Sequence, residues 1–139
     1  MPSFKGVGTI LARGDGASPE VFTPIAKIIS VGGPDESKDE LDDTTLDSTG
    51  GYKEFVSGLK DGGSLALALN FNPADAGQLA LETDYAAGTK QNYKLTWPSS
   101  PPKIVTVLAE VFAMNRNTEA ASLVTADVTL RISGAPVFS

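Results

Sequence analysis

Apolar residues recur at every second position along most of the chain, and this period restricts the fold more than any other feature. In residues 64–72, Leu65, Leu67 and Leu69 point one way while the residues between them point the other. Residues 123–132 alternate in the same way. Such spacing is typical of strands that bury one face. The pattern therefore predicts a chain built mainly from antiparallel strands.

This pattern, with the turn residues that bound it, predicts seven strands. They cover residues 7–13, 21–31, 52–59, 64–72, 93–97, 103–115 and 123–132. Because proline cannot donate to a ladder, Pro24 should lie at a sheet edge or a bulge. The strand at residues 103–115 is apolar on both faces, as expected where both faces are covered. In so small a protein another subunit could supply the second cover.

One α-helix is predicted at about residues 73–87. Asn72 is a suitable N-cap, Pro73 suits the first helical position, Asp75 favours the positive end of the helix dipole, and Gly88 ends the helix. Its apolar stripe should pack against a sheet. The fold class is therefore a β-rich α+β fold, an antiparallel β-sandwich or partial barrel with one flanking α-helix. We expect a single domain, because 139 residues suit one hydrophobic core.

The composition excludes several functional classes. The chain has no cysteine and no histidine, so disulfides, thiolate metal sites and imidazole-based catalysis are all absent. No nucleophile and base can be nominated together. The chain is thus predicted not to be an enzyme, with no catalytic residue, cofactor or metal. No apolar run is long enough to span a bilayer and no signal peptide is evident, so we expect synthesis in the cytoplasm without membrane insertion.

The net charge of −6 is concentrated in one segment, and the remainder of the chain has ten acidic and ten basic residues. The acidic residues of this segment, set against Lys38 alone, are Asp35, Glu36, Asp39, Glu40, Asp42, Asp43 and Asp47. They belong to a predicted loop at about residues 32–51, which is longer than common loops and should be functional or become ordered only in an assembly. A calcium site is the alternative, but the alternating carboxylates, central glycine and terminal glutamate of the calcium loop are missing.

Two further motifs have structural explanations. Residues 13–15 read Arg-Gly-Asp, the cell-adhesion tripeptide, but three residues match easily by chance and a turn is the better prediction. Trp97 alternates with Tyr93 and Leu95, so it is predicted to pack in the core and not to serve as a ligand platform.

Four segments carry a family resemblance. They are DTTLDST at residues 43–49, YKEFVSGLKDGG at 52–63, LNFNP at 69–73 and ISGAP at 132–136. Along the chain they give a threonine-rich acidic stretch, a tyrosine-led strand, a glycine-leucine pair, a glycine turn, an apolar strand and a short helix. This order resembles that of the major tail tube proteins of long, flexible-tailed bacteriophages. The resemblance covers most of the chain. Tubes of gene transfer agents and type VI secretion systems use a similar ring, and residues 44–63 favour the phage tail.

The resemblance implies a structural virion protein located in the tail. It implies hexameric rings that share an inner β-barrel and stack into a tube for DNA ejection, with tape measure, tail-tip and tail-terminator proteins as partners. About four strands from each of six copies, spaced by about 4.8 Å and tilted by about 40°, give a barrel of roughly 48 Å diameter. About 5 Å of side chain on each wall leaves roughly 38 Å, which passes a duplex of about 20 Å.

By its place in the family pattern, the acidic segment corresponds to a loop that reaches the neighbouring ring or subunit. The hypothesis is that its seven carboxylates meet lysine or arginine residues of that neighbour. DNA would pass without specific binding, because tight binding of a polyanion needs clustered basic residues, which the chain lacks.

A monomeric β-sandwich that binds carbohydrate is the alternative from another functional class. Such a module uses exposed aromatic side chains, and the chain has one tryptophan and three tyrosines. Two of these four belong to the stripe that is predicted to be buried. The exposure of Tyr93 and Trp97 therefore discriminates between the two functions.

Overall fold

A computed structural model of the protein describes residues 3–46 and 49–139, apart from the side chain of Thr49. The described residues form ten strands, one α-helix and a short 3₁₀ turn at Thr49–Gly51. The elements are β1 Ile10–Gly14, β2 Phe22–Pro24, β3 Ile28–Gly32, β4 Ser37–Asp42, β5 Phe55–Asp61, β6 Ser64–Asn70, α1 Ala76–Ala87, β7 Gln91–Trp97, β8 Lys103–Asn117, β9 Thr125–Ile132 and β10 Val137–Phe138.

Most strands belong to one antiparallel sheet with the order β2-β1-β7-β8-β9-β6-β3, and β10 pairs with β8. The long strand β8 joins two layers. It pairs with β7 from Lys103 to Ala109 and with β9 from Ala109 to Asn117. Side chains from both layers form one buried cluster. The predicted β-rich α+β fold is confirmed, and the sheet of a single chain does not close into a barrel.

The alternating segments bury the predicted faces. Leu65, Leu67 and Leu69 are at most 2% exposed, and the alternate residues of β9 from Ala126 to Ile132 are buried as well. The predicted strand at residues 21–31 is in fact two strands, β2 and β3. As predicted, Pro24 lies at a sheet edge, because it ends the edge strand β2.

The strand β8 is covered on one face only within a single chain. Val105 and Val107 are buried, whereas Leu108 and Phe112 on the other predicted face are 40% and 58% exposed. The register against β9 shifts between Val111 and Ala113, a β-bulge that reverses which side chains face the core. Met114 consequently packs against the core beyond the bulge.

The helix begins three residues later than predicted. Asp75 is the N-cap, and its Oδ2 accepts the backbone N–H of Gln78 at 3.0 Å. The assignment of the cap to Asn72 is wrong because the side chain of Gln78 accepts the N–H of Asn72 at 2.8 Å and holds that residue in the preceding turn. As predicted, Gly88 ends the helix, in the left-handed conformation with φ of 66°.

A buried ion pair fixes the helix on the sheet. Asp84 of α1 is 1% exposed, and it accepts two hydrogen bonds of 2.6 Å from Nε and Nη2 of Arg13 in β1. The hydroxyl of Tyr93 in β7 donates a third, also of 2.6 Å. The hydrogen bonds that Arg13 donates to Asp84 raise the pKa of Arg13. Burial, together with the hydrogen bond that Tyr93 itself donates to Asp84, raises the pKa of Tyr93.

The Arg-Gly-Asp tripeptide is therefore structural, as predicted. Arg13 is engaged by the buried Asp84. The side chain of Asp15 accepts the backbone N–H groups of Ala17 and Val21 at 2.9 and 3.1 Å, which closes the turn.

Gly77 lies in the first turn of α1, where the helix touches the segment after β2. A Cβ at this position would lie 2.7 Å from Cα of Ile25 and 2.8 Å from the carbonyl oxygen of Pro24. Because both atoms belong to the backbone, Gly77→Ala should move the helix and lower the free energy of unfolding by about 1–3 kcal/mol. Urea unfolding followed by circular dichroism measures the change.

The matched control for Gly77 is Ala86→Gly at an exposed position of the same helix. There alanine should be the more stable residue by about 1 kcal/mol, because of helix propensity alone. Glycine should thus be the more stable residue at position 77, and alanine should be the more stable residue at position 86. Equal preference for alanine at both positions would contradict the close packing at Gly77.

Candidate functional site

A two-stranded hairpin stands apart from the main sheet and is the candidate site. It consists of β4 and β5 with the residues that connect them, and we call residues 35–61 the arm. The strands β4 and β5 pair only with each other in the described part of the chain. The prediction of a loop at residues 32–51 is wrong for Ser37–Asp42, which form β4.

Two glycines hold the base of the arm where the chain leaves the main sheet and returns to it. Gly33 and Gly63 have φ values of 107° and 81°, which favour glycine. A Cβ at Gly33 would collide with the carbonyl oxygen of Ser64, and one at Gly63 would collide with that of Asp35. The two connecting segments therefore cross at a distance that only glycine permits, and this crossing determines the direction of the arm.

An ion pair ties the base of the arm to the sheet. Arg131 of β9 donates from Nη2 to Asp61 at 2.7 Å, and the backbone N–H of Gly63 donates to the same carboxylate at 2.9 Å. These bonds, with Arg131 the largest contributor, lower the pKa of Asp61. Because both side chains are nearly half exposed, the pair contributes little to stability and serves mainly to orient the arm.

A threonine extends the pairing of the arm beyond the ends of β4 and β5. Thr44 donates its backbone N–H to Asp42 at 2.9 Å, and its hydroxyl accepts the N–H of Glu54 at 2.7 Å. The backbone N–H of Asp43 donates to the carbonyl of Glu54 at 2.8 Å. Hydrogen bonds from Thr44 lower the pKa of Asp42.

Large apolar side chains on the arm have no cover. Leu59 is 81% exposed and Tyr52 is 79% exposed. The other exposed apolar residues of the arm are Leu41, Leu46, Phe55 and Val56. Single exposed apolar residues are ordinary, but such a concentration on one projecting hairpin marks a surface that binds another protein.

The predicted acidic residues lie along the same hairpin. Asp35 and Glu36 precede β4, Asp39, Glu40 and Asp42 belong to it, and Asp43 follows it. All six are exposed, and within the described residues none of them forms an ion pair. Asp47 lies outside the described residues. Over its whole length the arm has nine acidic and three basic residues, while the rest of the chain has eight of each.

The pairing of β4 was not predictable from its sequence. It lacks alternation, and its side chains are all exposed, so only backbone hydrogen bonds and the partner β5 define it. Lys38 even lies directly opposite Lys60, a like-charge pair that side-chain rules disfavour. The signal that does identify the site is the acidic segment, followed by the apolar residues Phe55, Val56 and Leu59 of β5.

Other kinds of site find little support. No group of three or more acidic side chains in residues 3–46 and 49–139 is placed to hold a metal ion. No helix in these residues is both long enough and apolar enough to span a bilayer. Tyr93 is buried and Trp97 packs half-buried against the core, as predicted. The carbohydrate-binding alternative thereby loses two of its four tryptophan and tyrosine side chains.

The main sheet has open margins. It ends in β2 on one side and in β3 on the other. In addition, the pairing of β8 with β7 stops at Ala109, so in the described part of the chain no strand pairs with this edge of β8 from Val111 to Asn117. Unpaired edges are templates for strands of another copy.

Comparisons with solved structures reveal the same fold in tail tubes. The chain is similar to one described as "Tail of empty GTA particle computed with helical refinement, C6 symmetry", with a TM-score of 0.81, 18% identity and 99% of each chain covered. It is also similar to the SPP1 tail tube, with a TM-score of 0.75, 14% identity and 99% of this chain and 79% of that chain covered.

A third similar structure is that of the anti-feeding prophage baseplate, with a TM-score of 0.73, 11% identity and 100% of this chain and 96% of that chain covered. At these identities the likeness establishes the fold alone. No curated protein matches the sequence.

The sequence itself matches a protein family over residues 4–139, nearly the whole chain. The family is described as "Lambda phage tail tube protein, TTP". The resemblance noted in the sequence and the β-rich fold with one helix agree with this match. The chain therefore belongs to the lambda phage tail tube protein family, whose members are structural proteins of the virion tail and not enzymes.

Proposed function

We propose that this tail tube protein assembles into hexameric rings that share an inner β-barrel and stack into a tube through which DNA is ejected. The observation that supports this proposal most is that the sheet formed by a single chain is incomplete. Its margins are open, and a hairpin with exposed leucine, tyrosine and phenylalanine side chains projects from it. Neighbouring copies that pair along these margins would complete the sheet. Contact with a neighbour would also cover the apolar side chains of the hairpin.

The ring number and the partners are supported by the solved relatives. The similar gene transfer agent tail is described with C6 symmetry. Other similar structures are those of the anti-feeding prophage baseplate and its tube-terminating cap, and of the sheath/tube terminator of an extracellular contractile injection system. We therefore propose six copies in each ring, with tape measure, tail-tip and terminator proteins as partners, and the whole chain, residues 1–139, as one tail tube domain.

The charge distribution supports a conduit that does not grip DNA. Outside the arm, acidic and basic residues balance at eight each. Tight binding of a duplex releases counterions from several phosphates and needs clustered lysine or arginine. A nearly neutral wall leaves the polyanion free to slide, whereas a basic wall would retain it at low salt.

The arm is the proposed contact between subunits or rings. The contact residues are Asp35, Glu36, Asp39, Glu40, Asp42, Asp43 and Asp47. In the described part of the arm these carboxylates are exposed and without ion pairs, beside uncovered apolar side chains. An interface with a neighbouring copy would bury the apolar side chains and would pair the carboxylates with basic residues of that neighbour.

Negative-stain electron microscopy of the concentrated protein tests the proposal. We expect hollow fibres of constant width whose bore is about 38 Å, as the geometry of a 24-stranded barrel requires. The same sample with an added tail-tip complex should give fibres of the same width at lower protein concentration. Particles that stay single copies under both conditions would contradict the proposed function.

A further inference from the structure

We infer that the arm of one copy docks at the base of the arm of a second copy, with Asp42 and Asp43 of the first against Lys38 and Lys60 of the second. Asp42 and Asp43 are called the distal acids, and Lys38 and Lys60 the lysine pair. The inference rests on the proposed assembly and adds which basic residues receive the acidic segment. It follows from the two faces of the arm, from the cations that lack a partner, and from a cavity beside them.

The two faces of the arm differ in chemistry. Lys38, Glu40 and Asp42 are alternate residues of β4 and therefore lie on one face. On the other face Leu41 lies directly opposite Val56, and both are exposed. The charged face has a direction along the arm, because its lysine is near the main sheet and its carboxylates lie farther out.

The lysine pair has no counter-ion within its own chain. Lys38 and Lys60 lie directly opposite each other, an arrangement that repulsion disfavours unless an anion approaches both. Within the described part of the chain neither forms an ion pair, although Glu36 and Glu40 are each two residues from Lys38. Asp42 of the same copy is four residues along β4, about 13 Å, which exceeds the screening length of about 8 Å at physiological salt. The anion must therefore come from another molecule.

Most other basic residues are already engaged within the chain. Six of the eleven bind a carboxylate, a hydroxyl or an aromatic ring, and they are Arg13, Lys90, Lys94, Lys103, Arg116 and Arg131. Besides the lysine pair, Lys5, Lys27 and Lys53 remain. Among the described residues Lys38 and Lys60 are the free cations that strand pairing brings together.

A cavity of about 480 Å³ opens beside the lysine pair. Lys38 and Lys60 line it from the arm, and residues 134–136 line it from the segment after β9. Glu36 and Asp61 line it as well, but Asp61 is already paired with an arginine. The unpaired charges of the lining are thus two lysines against one glutamate, which favours an anion. Cavities of about 300–1,000 Å³ hold small ligands, so an aspartate side chain fits.

A second copy of this chain is the occupant that the charges favour. Its distal acids are exposed and form no ion pair within the described residues. DNA also offers anions, but the arm has nine acidic and three basic residues and therefore repels a polyanion. Because each copy has both the distal acids and the lysine pair, the contact is head to tail and can repeat along a growing assembly.

Reversing the charge of the lysine pair tests the assignment. The receptor variant, Lys38→Glu with Lys60→Glu, should raise the critical concentration for tube formation by at least about tenfold, because repulsion replaces attraction in the contact. Lys5→Glu with Lys90→Glu, at two exposed positions outside the arm, changes the net charge equally and should polymerise like the native protein. Sedimentation of tubes over a concentration series measures both variants.

Mixing two defective variants gives the sharper result. The donor variant, Asp42→Lys with Asp43→Lys, keeps the native lysine pair, and the receptor variant keeps the native distal acids. In an equimolar mixture native acids meet native lysines, and introduced lysines meet introduced glutamates. We therefore expect the mixture to form tubes at concentrations where each variant alone forms none.

Normal tubes from the receptor variant, loss of tubes from the control, or a mixture that stays unassembled would each overturn the assignment. If circular dichroism shows that a double reversal disturbs the fold, Lys60→Glu mixed with Asp42→Lys replaces it, with the same expected result. Duplex DNA that binds the native protein and not the receptor variant, with no recovery on mixing, would identify DNA as the occupant. All these outcomes leave the proposed tube intact, whereas failure of the native protein to form tubes would overturn the proposed function itself.

Discussion

Replacing Asp84 with alanine should lower the melting temperature by roughly 10–20 °C, since breaking a buried ion pair costs about 3–5 kcal/mol in a domain of this size. The substitution leaves the guanidinium of Arg13 and the hydroxyl of Tyr93 facing each other without the carboxylate that both donate to. Their desolvation is then uncompensated. Thermal unfolding of the unassembled protein, followed by circular dichroism, measures the loss.

Glu82→Ala is the matched control on the same helix. Glu82 also pairs with an arginine, Arg116 at 2.9 Å, but both side chains are substantially exposed. Exposed pairs contribute about 0–1 kcal/mol, so the control should shift the melting temperature by at most a few degrees. Similar losses for the two variants would show that burial at Asp84 does not matter and would contradict the role assigned to the buried pair.

Local patterns predicted the parts of the fold that local physics controls. The alternation of β6 and β9 identified their buried faces because one residue of slip would expose every leucine and valine on them. Gly88 ended the helix as predicted because a left-handed residue is needed there. The start of the helix was missed because two good caps, Asn72 and Asp75, compete, and the hydrogen bond from the backbone N–H of Asn72 to the side chain of Gln78 decides between them.

The remaining features depend on distant partners and carry no local signal. Arg13 and Asp84 are 71 residues apart, and each looks like an ordinary surface residue in the sequence. The strand β4 is exposed at every position, so only its pairing with β5 defines it. The candidate site was nevertheless located from the sequence, because a concentrated charge is visible in composition even where its secondary structure is not.

The excess negative charge of this molecule is concentrated in one region, and that distribution bears on function. The arm holds the excess negative charge together with exposed apolar side chains, which suits a specific contact between copies. The rest of the chain is balanced in charge, which suits the proposed passage of DNA. Substitutions in the arm should therefore affect assembly without affecting the fold.

Reversing the charge of two arm residues, Asp42→Lys with Asp43→Lys, should abolish tube formation at concentrations where the native protein polymerises. If their carboxylates meet basic residues of a neighbour, the substitution turns attraction into repulsion within a desolvated contact. A loss of about 2–5 kcal/mol raises the critical concentration by about 30-fold to several thousand-fold. Both residues are exposed and project from the main sheet, so the circular dichroism spectrum and melting temperature of the unassembled protein should change little.

Two control variants separate the electrostatic contact from a general effect of charge. Asp42→Asn with Asp43→Asn removes the attraction without adding repulsion, so its critical concentration should lie between those of the native protein and the lysine variant. Glu119→Lys alters an exposed acid far from the arm in the sequence and should polymerise normally. Sedimentation of tubes over a concentration series measures all three variants. Unimpaired tubes from the lysine variant would refute the contact, because two buried like-charged pairs cannot be accommodated without loss of affinity.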